Sequence, residues 1–220
     1  MRQLPTPGVA LSFALGLALL VAAIGFLQPT GLFAPIDERL MGLAGKLHGV
    51  RGAGLVTHGA VALDRLGAVG GRTLIVLAVG LVFIKLGHPE RLIPLLVAGV
   101  GTALVIGVVK LGFNAPRPMM MIPYMPTSVI ETVGTSFPSG HAAGTMALYG
   151  AIALLARSRV VTWICAAMIL ATGASRVWLG VHWPSDVAGG WAVGLIWLLL
   201  VLFILPWWGP LLQRPAISRD

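Results

Sequence analysis

The chain has 220 residues, of which 57% are hydrophobic and only 10% charged, with a formal net charge of +8 and a mean hydropathy of +0.93. Soluble domains carry about a quarter charged residues, so this composition excludes an ordinary soluble domain and points to an integral membrane protein. No basic run or nucleic-acid-binding motif accompanies the positive charge, so it is assigned to helix ends facing anionic lipid and to a polar site, with no nucleic acid as partner.

Apolar runs of about 20 residues, or somewhat fewer where flanking residues snorkel, read as membrane spans. The first covers residues 9–27. It is long for a signal-peptide core, and no small-x-small cleavage site precedes Gln28-Pro29, so it reads as a retained span. Pro29, Gly31 and Pro35 then break the chain. Over residues 36–47, Ile36, Leu40, Leu43, Ala44 and Leu47 recur at helical spacing, with Asp37, Glu38, Arg39 and Lys46 elsewhere. That is one apolar stripe on a short amphipathic helix, expected to lie on the membrane surface. A weaker helical stretch covers residues 54–66. The second span, 72–86, ends at the turn Gly87-His88-Pro89-Glu90, and the third covers 92–111. The fourth, fifth and sixth cover 142–156, 160–175 and 187–205. The expected fold is all-α, a polytopic bundle of six transmembrane helices in a single domain over 1–220, with no internal repeat and no low-complexity tail. Cys165, the one cysteine, lies in an apolar run and reads as a buried small hydrophobe.

Lysine and arginine in the loops orient the bundle. With the N-terminus cytoplasmic, Arg2, Lys85, Arg91, Arg157, Arg159, Arg214 and Arg219 are inside, although a long outer segment from Arg39 to Arg72 works against this choice. Trp163, Trp207 and Trp208 then sit at the inner interface and Trp178 and Trp183 at the outer one. Both termini are expected inside. Three polar clusters then converge on the outer face: residues 110–118, 138–141 and 175–186.

These clusters carry chemistry. Lys110, Arg117 and Arg176 are cations, Ser139 is a helix N-cap, and Gly140 and His141 open the helix that follows it. Free backbone N–H groups at such a start bind anions. Together with three cations they suit a multiply charged anion, and phosphate fits best. Two histidines, His141 and His182, add reactivity. One can attack phosphorus while Asp186 holds its other nitrogen; the other can protonate the leaving oxygen and later activate water. The carboxylates are too few for a two-metal centre, so neither metal nor other cofactor is expected.

Lys110-x6-Arg117-Pro118, then Pro138-Ser139-Gly140-His141, then Ser175-Arg176-x5-His182-x3-Asp186 resemble the three-part signature of the type 2 phosphatidic acid phosphatase (PAP2) family. Its superfamily also contains vanadium haloperoxidases and bacterial acid phosphatases. The match runs over residues 110–186, in order and with the expected spacing. The resemblance implies His182 as a nucleophile forming a phosphohistidine, Asp186 as the residue orienting it, and His141 as general acid. It also implies that Lys110, Arg117, Ser139, Gly140 and Arg176 hold the phosphoryl group. The expected activity is hydrolysis of a membrane lipid phosphate or pyrophosphate, of undecaprenyl pyrophosphate, phosphatidylglycerophosphate or phosphatidic acid type, at the outer face of a bacterial cytoplasmic membrane. A lipid-to-lipid phosphotransferase, a haloperoxidase and an anion or lipid transporter are the rival readings.

Taken singly, these residues have plainer roles. Lys110 and Arg117 read as snorkelling cations, Asp186 as a helix cap, and His182-Trp183-Pro184 as an interfacial turn. Ser175 reads as a packing residue, and Gly99, Gly101 and Gly107 as sites of close helix contact. His48, His58 and His88 read as interfacial or loop residues without a charged constellation. The Met-rich loop 119–137 reads as a lid, or with the 36–47 helix as an access route for a lipid tail.

Overall fold

A computed structural model describes residues 7–118 and 134–204, and these form helices and loops without a strand. The helices are α1 (Pro7–Leu27), α2 (Ala34–His48), α3 (Ala53–Gly67), α4 (Val69–Lys85), α5 (Leu92–Lys110), α6 (Gly140–Ala156), α7 (Arg159–Trp178) and α8 (Pro184–Ile204). A helix therefore occupies each of the six apolar runs, and the two weaker stretches are α2 and α3. Most of the loop 119–137, together with Arg2, Trp207, Trp208, Arg214 and Arg219, lies outside the described residues.

Among the described residues α1, α5, α7 and α8 belong to stretches long and apolar enough to cross a membrane, so the protein is an integral membrane protein. The pair α3–α4, bent by 72°, makes a fifth candidate. The expected fourth span is different. At 17 residues, α6 rises about 26 Å, short of the ~30 Å hydrocarbon core. It can be short because it is the central helix, packed against α5, α7 and α8. Leu148, Tyr149, Ala151, Ile152 and Leu155 of α6 are buried with Val76, Leu95, Cys165 and Leu198 from the helices around it. Gly99 admits Val76 and Leu148, and Gly101 admits Trp197, whereas Gly107 meets no neighbour among the described residues.

Arg91, counted above among the inner surface cations, is buried instead. Its Nη1 donates to Leu155 O at 2.8 Å and its guanidinium lies over the Phe83 ring. A helix C-terminus leaves carbonyls without intrahelical partners and carries partial negative charge, and Arg91 answers both at the end of α6.

The amphipathic stretch forms α2. Asp37, Met41 and Ala44 face the protein, while Ile36, Leu40, Leu43 and Leu47 remain largely exposed. Leu40, Leu43, Ala44 and Leu47 of the apolar stripe thus border a groove beside α7, and a carboxylate faces into the bundle. Asp37 accepts from Ser185 N at 2.9 Å and Ser185 Oγ at 2.6 Å, which caps the start of α8. Burial pushes the Asp37 carboxyl upward, against the pull of the two Ser185 bonds. Between α2, the end of α7 and Pro184 lies an apolar groove of about 310 Å³. His48 stacks on Trp178 with ring centroids 4.2 Å apart. His88, expected to stand apart from any charge, pairs with Glu90 at 3.3 Å.

Helix α3 clamps the far end of α7. Ala60 and Val61 pack on Leu179 and Val181, and Trp178 Nε1 donates to Thr57 Oγ1 at 3.0 Å. Gly67 at its end lets α3 close on α6, because a Cβ there would stand 2.9 Å from His141 Cδ2. This closure brings an otherwise weak helix to the polar end of the bundle.

Candidate active site

The C-terminal ends of α3 and α5, the N-terminal ends of α4 and α6 and the turn before α8 meet around one cavity of about 290 Å³. Lys110, Gly140, His141 and His182 line it. Residues 72 positions apart in sequence therefore share one space, as the span count predicts.

His182 lines it with Asp186 beside it, and both are buried. They stand one helical turn apart, on the turn before α8 and in its first turn. His182 Nδ1 lies 3.3 Å from Asp186 Oδ2. The same carboxylate accepts from Trp183 N at 2.8 Å, from Gln28 Nε2 at 2.9 Å and from Ser136 Oγ. On the other side of the ring Arg117 Nη1 lies 3.4 Å from Nε2. A guanidinium only donates, so Nε2 carries the lone pair and Nδ1 the proton, which points to the carboxylate. Burial drives the His182 pKa from 6.5 to about 4, with Asp186 pulling the other way. The ring is therefore neutral at physiological pH, with its lone-pair nitrogen on the side away from its anchor.

Ser139 is the N-cap of α6: its Oγ accepts from Ala142 N at 3.4 Å. Its own N–H donates to Asp186 O at 3.0 Å. Ser139 thus ties the start of α6 to the start of α8, and Gly140 presents the first helical turn to the cavity. Lys110 Nζ donates to Thr135 O at 3.0 Å, and Arg117 Nη1 to Val181 O at 2.9 Å. Ala115 accepts from Ser136 N and donates to Thr135 Oγ1, which seams the two loop segments together. Ser175 is buried and its Oγ donates to Thr172 O at 2.7 Å.

Three participants escape the sequence motifs. Asp64 of α3 is the first. Its Oδ1 lies 3.2 Å from His141 Nε2 and also receives Arg176 Nη1, whose side chain is wholly buried. The backbone oxygen of Asp64 lies 3.1 Å from the same His141 nitrogen. Each histidine of the site thus has its own carboxylate, one from α8 and one from α3. A lone acid in an otherwise apolar stretch was the available signal for Asp64. Ser136, which bridges Asp186 Oδ2 and lies 3.4 Å from His182 Nδ1, and Gln28 are the others; no local pattern marks them. Among the described residues no three His, Cys, Asp or Glu side chains group as a metal site.

Known proteins resemble this chain in sequence and in fold. The chain is 33% identical over 100 residues to undecaprenyl-diphosphatase BcrC of Bacillus subtilis, covering 46% of this chain and 50% of that protein. It is 39% identical over 75 residues to phosphatidylglycerophosphatase B of the same organism, covering 30% and 37%. The chain thus spans half or less of the curated relatives it matches. Among solved structures, a transmembrane PAP2 type phosphatidylglycerolphosphate phosphatase from Bacillus subtilis has a similar fold. It superposes with a TM-score of 0.69 at 24% identity, over 86% of this chain and 93% of that one. The sequence profile of the PAP2 superfamily matches residues 91–210, more than half of the chain, and the chain belongs to that superfamily.

Proposed function

We propose that this protein is a membrane lipid phosphate or pyrophosphate phosphatase that works through a phosphohistidine. The observation that carries the reading is His182: neutral, anchored through Nδ1 on Asp186, with Nε2 beside Arg117, at a cavity that Lys110 and Gly140 also line. His182 Nε2 attacks phosphorus and the bond from phosphorus to the leaving oxygen breaks. The leaving oxygen takes its proton from His141. Water, giving a proton back to His141, then attacks the phosphohistidine; the P–N bond breaks and phosphate departs. Asp186 stabilises the positive charge that builds on the His182 ring. Lys110, Arg117, Arg176 and the α6 N-terminus around Ser139 and Gly140 meet charge on the phosphoryl oxygens. Asp64 orients His141 and tempers the charge of Arg176.

The relatives named as diphosphatase and phosphatidylglycerophosphatase support a lipid phosphate substrate. The apolar groove beside α2 supports passage of a lipid chain along that helix. We further infer six crossings by α1, α4, α5, α6, α7 and α8, with α2 at the interface, in one domain. Both termini are placed in the cytoplasm and the site on the outer side of a bacterial cytoplasmic membrane. Lys85, Arg157 and Arg159, at the opposite end of the bundle from the site, support that orientation.

The test is phosphate release in detergent from a panel of lipid phosphates and pyrophosphates, without added metal. Release by the wild type, its loss in His182→Ala, and inhibition by orthovanadate are expected. Full activity in His182→Ala would overturn the mechanism, and transport of an anion without phosphate release would overturn the enzyme.

A further inference from the structure

The cavity holds more than the signature residues. Arg72, in the first turn of α4, lines it together with Thr102 of α5. Arg72 is 4% exposed. Its guanidinium lies against the backbone of Gly144, where a Cβ would come within 0.9 Å of Nη1, so only glycine leaves the seat open. Its one hydrogen bond among the described residues is Nη1 to Thr102 Oγ1 at 3.3 Å, and Nε has no partner. Thr102 donates onward to Gly99 O at 3.1 Å, so it orients the guanidinium without neutralising it.

A buried arginine stays charged, and an unpaired charge inside a membrane bundle is costly enough to mark a functional position. Lys110, Arg117 and Arg176 already serve the phosphoryl group at His182. Arg72 sits deeper. Thr102 lies two helical turns before Lys110 on α5, and Gly144 one turn beyond Gly140 on α6, about 6 Å along the axis. The cavity volume of about 290 Å³ is on the order of twenty times the ~15 Å³ that one water needs. A single phosphoryl group at His182 leaves that deeper end and its cation unanswered.

We propose that Arg72, held by Thr102 and seated on Gly144, binds a second phosphoryl group, so that the site takes a lipid diphosphate. One phosphoryl group stands at His182 and the adjoining one at Arg72. This rests on the phosphatase reading above, and the experiment separates the two. Farnesyl diphosphate and farnesyl monophosphate, alike in their chain, are compared as substrates of the full-length protein in detergent. Arg72→Gln is expected to raise KM for the diphosphate about tenfold or more, the worth of a charge-assisted hydrogen-bond pair, while KM for the monophosphate stays within about twofold. Equal effects on both substrates, or none on either, overturn the subsite. Gly144→Ala, which crowds the guanidinium from its seat without removing its charge, is expected to give the same split and serves if Arg72→Gln does not fold. Binding is read separately from turnover. Inorganic pyrophosphate is expected to raise the unfolding temperature of the wild type more than orthophosphate does, and Arg72→Gln to abolish the difference. A variant that instead loses only the orthophosphate effect identifies a free-phosphate site and overturns the proposal. A wild type that hydrolyses neither lipid yet keeps the pyrophosphate effect overturns the phosphatase reading and leaves the subsite standing.

Discussion

Replacing Asp64 by Asn isolates the residue that the motifs miss. Asp64 Oδ1 serves His141 Nε2 at 3.2 Å and the buried Arg176 together. Removing one partner of a buried ion pair costs about 3–5 kcal/mol. Here the Asp64 side chain is 15% exposed and Asn keeps an accepting oxygen, so about 1–3 kcal/mol of stability is the expected loss. The catalytic consequence runs through His141. A positioned general acid contributes roughly 10²- to 10⁴-fold, and losing its anchor is expected to forfeit about 10²-fold of that on an alkyl phosphate, whose leaving alkoxide needs a proton. With p-nitrophenyl phosphate, p-nitrophenolate leaves without one. On it the same variant is expected to lose less than about tenfold. Steady-state kinetics on the two esters in one detergent, with unfolding temperatures measured alongside, give both readouts. Equal losses on both esters would show that Asp64 only supports Arg176 or the fold, and would refute its action through His141.

Other consequences follow from the same contacts. His182 is held near 4 in the fold against 6.5 unfolded, so the unfolded chain binds more protons between those values. Its contribution is whole above about pH 6.5 and fades as pH falls toward 4, by about 3 kcal/mol in all. The unfolding temperature of the wild type should drop over that window, and that of His182→Asn should drop less; parallel curves would contradict the assignment. Asp37→Ala strips the acceptor from Ser185 N and Oγ and should cost about 1–3 kcal/mol, visible as a lower unfolding temperature, whereas Asp37→Asn should retain most of it. Blocking a single cysteine placed at Arg157, in a Cys165→Ser background, with a membrane-impermeant reagent should require opened cells; labelling of intact cells would reverse the proposed orientation.

The residues of the chain determine a good deal without any coordinates. Apolar runs of 15 to 20 residues locate helices because a lipid-facing backbone must satisfy its own hydrogen bonds, and a helix stands at every such run. The spacing of His182 and Asp186 is one helical turn, and Ser139 before Gly140 is a cap, so both local arrangements are legible in order along the chain. What periodicity reports is which residues share a helix face, and not what that face meets. Helix α2 shows the limit: its apolar stripe is real, but tertiary packing turns Asp37 inward onto Ser185 and sets the leucines beside α7 around a groove. Arg91 and Arg72 look like end-of-helix cations in sequence, yet one caps α6 from within the bundle and the other enters the cavity. Asp64 reaches His141 only because Gly67 lets α3 close on α6 across 77 residues of chain. Local chemistry is written in short spacings that a helix converts directly into neighbours. The partners of Asp64, Asp37 and Arg72 depend on how whole helices dock, and only the tertiary structure decides that.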